Sequence, residues 1–109
     1  MKRVIYAGSE FVTGDDIAAA LLDCGRALAE AGEAEAVTVP TRELDGSVGE
    51  VTVLIGPASQ MVARDAPSDD GELVDEFAIA RLNMIQRRLR PVAAVDPTLP
   101  NDTDWDDEI

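Results

Sequence analysis

The chain has 109 residues, with 9 Lys+Arg against 22 Asp+Glu for a formal charge of −13, one Cys and no His. That length supports one small domain with a modest core, and a hydrophobic fraction of 46% is that of a globular chain. The acidic balance disfavours phosphate backbones and anionic bilayers, no apolar run reaches a membrane span, and a single Cys cannot close an internal disulfide; the expectation is a cytoplasmic protein with no nucleic-acid or membrane partner.

The first apolar runs, Val4-Ile5-Tyr6-Ala7 and Phe11-Val12, flank Gly8-Ser9. Glycine at the first central position suits a type II′ turn, which would set Tyr6 opposite Phe11 and Ile5 opposite Val12. The competing reading is a single strand, a loop to Gly14 and a helix, the start of a parallel crossover; the hairpin is preferred. A helix is then predicted over residues 15–31. Thr13 is its N-cap, Asp16 stands in the third position, and Gly32 ends it. Ile17, Leu21, Cys24 and Leu28 mark its apolar face, and Ala18, Leu22, Gly25 and Ala29 form a mostly small line beside it.

A second hairpin follows. A three-residue loop, Leu44-Asp45-Gly46 with Gly46 left-handed, sets Val39 opposite Val51 and Val37 opposite Val53, so that all four valines share a face. Pro40 marks its arm as an edge or a bulge. Residues 58–67 read as a connector holding at most a short strand near 60–63. A second helix is predicted over residues 70–89, capped by Asp69 with Glu72 three positions on and closed by Pro91. The order is ββαββα, an α+β fold with a four-stranded, mainly antiparallel sheet and two helices on one face. The domain covers residues 1–95. Residues 96–109, with six acids, no base and two prolines, read as a disordered acidic tail.

The residue types exclude more chemistry than they suggest. Without His there is no Ser-His-Asp set, and zinc lacks ligands. Cys24 lies on an apolar stripe with no base to activate it and reads as an inert buried thiol. Asp102, Asp104, Asp106 and Asp107 lack the Gly and Glu of a calcium loop. No catalytic residue, metal ligand or cofactor is expected.

The second helix is the most informative element. It carries two apolar stripes, Leu73/Phe77/Ala80/Met84 and Val74/Ala78/Leu82/Ile85/Leu89, where a helix with one core-facing side needs one. Either the helix is buried on both sides, or the second stripe meets another molecule. Arg81, Arg87, Arg88 and Arg90 cluster toward its end, an anion-binding patch or simply the complement of the helix dipole. Trp105, alone among acids, would dock an acidic tail onto a basic, apolar surface. The leading expectation is a non-catalytic module that self-associates or docks a partner through Leu82, Ile85 and Leu89, with Arg81, Arg88 and Trp105 as further interaction residues. The alternatives are a small-ligand or anion-binding protein using Arg81 or Arg88, and a small carboxylate-dependent enzyme.

Overall fold

The computed structural model describes residues 1–58 and 60–89. The expectations placed on Arg90, on Trp105 and on the tail at 96–109 lie outside those residues.

Two strands, β1 (Lys2–Tyr6) and β2 (Ser9–Thr13), form the first hairpin. Its turn falls on Ala7-Gly8, not Gly8-Ser9. Both residues are left-handed, at φ 53° and 81°, which is the signature of a type I′ turn. The register therefore slides by two, and Phe11 faces Val4 where Tyr6 was expected. A slide of two preserves side-chain parity, so Tyr6, Val4 and Phe11 still share a face. Holding Ala7 left-handed costs about 1–2 kcal/mol. The return is Val4, fully buried, seated between Phe11 and Ala63.

Ala63 belongs to the short strand that the connector is able to hold near 60–63, which the expected order ββαββα leaves out. After helix α1 (Asp15–Ala31), β3 (Glu35–Arg42) and β4 (Val48–Ile55), the chain forms β5 (Met61–Asp65) and then helix α2 (Glu76–Leu89). The order is ββαβββα, and the single four-stranded sheet is replaced by two antiparallel sheets, β2-β1-β5 and β3-β4. β5 is obscure in the sequence because Val62 is its only β-branched residue; it exists through pairing along the whole of β1. The β3–β4 register is the expected one, Val37 with Val53 and Val39 with Val51, and Gly46 is left-handed at φ 88°.

Side-chain hydroxyls tie the sheets together. Buried Thr13 donates from Oγ1 to the Pro40 carbonyl at 2.8 Å, and the Tyr6 hydroxyl donates to the Leu54 carbonyl. Thr13 is thus occupied and does not cap α1. The N-cap is Gly14, and the Glu72 carboxylate, from a distant loop, accepts the Asp15 N–H. Gly32, left-handed at φ 68°, closes α1 with bonds back to Ala29 and Leu28.

Glu72 does more than cap. The Met1 ammonium lies 2.8 Å from Asp15 and 3.0 Å from Glu72, and the Met1 side chain is buried. Hydrogen bonds to Asp15 first, then Glu72, raise the amine above its ordinary 8.0. The Asp15 N–H and then the ammonium hold Glu72 below its ordinary 4.5. The signs follow. The raised amine stabilises the fold fully below pH 8.0, and that part is lost as pH rises through the folded value. The depressed carboxylate stabilises above pH 4.5, and that part is lost as pH falls through its folded value. The unfolding midpoint is expected to decline above pH 8.0, and Glu72→Gln to shrink that decline. An identical alkaline limb in wild type and variant would show that this clasp contributes nothing.

Because Glu72 is committed to Met1 and Asp15, it cannot complete a cap with Asp69. α2 starts at Glu76, six residues later than expected, where Asp75 Oδ1 accepts the Ala78 N–H at 3.1 Å. α2 packs along α1 and also reaches β3. In the core, Ile17, Leu21, Cys24 and Leu28 of α1 meet Val37, Val39, Val53 and Ile55. Burial, aided by the charge of Glu35 and opposed by Arg88, pushes the Cys24 thiol up. Among the described residues no helix is long and apolar enough to cross a membrane.

Candidate functional site

Within α2 the two stripes have opposite fates in the single chain, while before it Leu73 packs against the core and Val74 is exposed, each unlike the rest of its stripe. Ala78 and Leu82 are buried, and Ile85 and Leu89 are half-buried against the core. This is the stripe assigned to a partner. Leu82, 2% exposed, belongs to the molecule's own core and offers no free surface, while Ile85 and Leu89 sit at its margin. The outward residues are Phe77, 82% exposed, and Met84, 62% exposed. The signal that distinguishes them is the charge arc. At 100° per residue the charged residues of α2, Glu76, Arg81, Arg87 and Arg88, fall within about 140° on the side of Phe77, which leaves Leu82 facing inward.

Arg81 and Arg88 do come together. They border a groove of about 640 Å³ between β3 and α2, whose walls include Glu35, Val37, Thr38 and Met84. Neither is free of commitments. The Arg88 guanidinium lies 2.9 Å from Glu35 and 3.4 Å from Glu33. Arg81 donates from Nη2 to the Thr38 carbonyl at 3.3 Å. These bonds fasten α2 to β3 and to the residues preceding it. Exposed pairs of this kind contribute only about 0–1 kcal/mol each.

Phe77 and Met84 are flanked differently. Glu76 in the first turn of α2 and Arg87 in the last are both exposed. The other exposed large hydrophobics are Leu44 in the β3–β4 turn, Val48 and Leu54 of β4, Val62 of β5, and Val74 in the segment before α2. Single apolar side chains of that sort are ordinary on a surface.

Other chemistry finds little footing. Among the described residues the buried polar side chains are Thr13 and Thr41, and no Asp or Glu is buried, so no paired buried carboxylates form a cleft. No three His, Cys, Asp or Glu side chains are placed to hold a metal among those residues. No protein-family model matches the chain, and no curated protein or solved structure matches it at a significant level.

Proposed function

We propose that this protein is a non-catalytic module that associates with itself through the outer face of α2, in the cytoplasm. The observation that supports this reading most is Phe77. A phenyl ring at 82% exposure, one turn of helix from Ala80 and two from Met84, leaves apolar surface in water on a helix already anchored by its opposite side. Burying one such ring is worth roughly 1.5–3 kcal/mol, enough to shape a modest interface. The expected result is a mass by light scattering that rises with concentration toward twice 11.6 kDa. Phe77→Glu should abolish that rise, with the unfolding midpoint nearly unchanged at low concentration, where wild type is dissociated. A wild-type protein that stays at 11.6 kDa at every concentration would overturn the reading.

A second reading takes the β3–α2 groove as a small-ligand site, since its volume is in the range of such sites and Arg81 and Arg88 edge it. Against an anion stand Glu33 and Glu35, which already occupy Arg88.

A further inference from the structure

We infer that two copies pair α2 against α2 in antiparallel fashion about a two-fold axis, with Phe77 and Met84 at the centre and Glu76 of each copy against Arg87 of the other. The inference rests on the self-association reading and specifies its geometry.

The outward line of α2 carries the argument. At 100° per residue, Glu76, Ala80, Met84 and Arg87 fall within about 80° of arc, with Phe77 just beside Met84. The line is therefore acid, apolar, base, read from the N-terminal end. Such a line is complementary to its own reverse. A two-fold axis near the middle of α2 sets each Glu76 against the other copy's Arg87 and each Phe77 beside the other's Met84. Parallel pairing would instead set Glu76 against Glu76 and Arg87 against Arg87. Antiparallel helix dipoles also oppose favourably. Ala80, nearest the middle, is the small residue that lets two helices approach.

The charge of the whole chain narrows the choice of face. Two molecules at −13 each repel across most surfaces. α2 carries more base than acid, with three arginines against one glutamate. Arg88 is neutralised within the molecule by Glu33 and Glu35, and Arg81 is drawn to β3. Glu76 and Arg87 stand at opposite ends of the outward line, and their charges cancel along it. Two acidic copies can meet along this line without like charges facing each other, and an isologous contact closes at two copies rather than growing into a chain.

The test is a charge swap. In Glu76→Arg the two cross-copy pairs become repulsive; Arg87→Glu does the same with opposite sign. Each variant alone is expected to dissociate at about tenfold higher concentration than wild type, judged by light scattering. Mixed one to one, they restore both pairs. The arginine introduced at position 76 of one copy then faces the glutamate introduced at position 87 of the other, and the native Arg87 of the first faces the native Glu76 of the second. The mixture is expected to recover the wild-type mass, with the two chains in equal amounts in the recovered species. Recovery also shows that neither variant has lost its fold. If the single variants associate as wild type does, or if mixing restores nothing, the antiparallel pairing is overturned. In that case a wild type that associates and loses association on Phe77→Glu keeps the self-association reading. A wild type monomeric throughout removes both.

Discussion

Gly14→Ala is expected to destabilise the protein by about 3 kcal/mol, the upper part of the usual range for an overfilled site. For a domain of this size that lowers the unfolding midpoint by more than about 10 °C. The reason is not local. Gly14 has φ −69° and ψ 157°, a conformation any residue adopts. An added Cβ, however, would stand 1.8 Å from the Leu73 carbonyl oxygen and 2.9 Å from its carbon. Those are backbone atoms, which cannot rotate aside as a long side chain can. The loop before α2 would have to lift from the start of α1. That movement would draw Glu72 from Met1 and Asp15, so the clasp and the close approach fail together. Gly71→Ala is the control. Gly71 is left-handed at φ 83° and has open space around it, so the variant loses only the glycine conformation, about 1 kcal/mol. Equal losses in the two variants would mean that the Gly14 contact is not tight in solution.

The same glycine illustrates what the sequence could and could not disclose. Gly32 and Gly46 are legible because each ends a strong local pattern: Gly32 stops a 17-residue amphipathic helix, and Gly46 fixes which valines face one another. Gly14 has no such pattern. Its constraint comes from residue 73, and nothing near it in sequence carries that information. Glu72 misleads for a related reason. Three residues after Asp69 it fits a helix cap, but its partners are Met1 and Asp15. β5 shows in the sequence only as a possible short strand near 60–63, because its strand character comes from the partner β1 more than from its own residues. Local periodicity thus specifies α1 and the β3–β4 hairpin, and contacts between residues far apart in sequence decide the rest. For the candidate site, the existence of two stripes on α2 is legible. Which stripe faces outward depends on weighing Glu76 and Arg87 with the apolar pattern.

Leu82→Ala and Phe77→Ala should therefore behave as opposites. Leu82 is 2% exposed where α2 meets the core, so truncation removes buried surface and leaves a cavity, at a cost of about 2–5 kcal/mol. Phe77 is 82% exposed, and truncation there should change the stability of the isolated fold by less than about 0.5 kcal/mol. The two variants also separate folding from association. Anything that binds only the folded state raises the unfolding midpoint by mass action, so a self-associating wild type unfolds at higher temperature as concentration increases. Leu82→Ala should lower the whole curve and keep that slope, because its outer face is intact. Phe77→Ala should match wild type at low concentration and lose the slope. The reverse pattern, with Phe77→Ala unstable and Leu82→Ala merely concentration-independent, would mean that α2 presents Leu82, Ile85 and Leu89 to the partner. It would turn the helix by about half a revolution from the arrangement described for α1, α2 and β3.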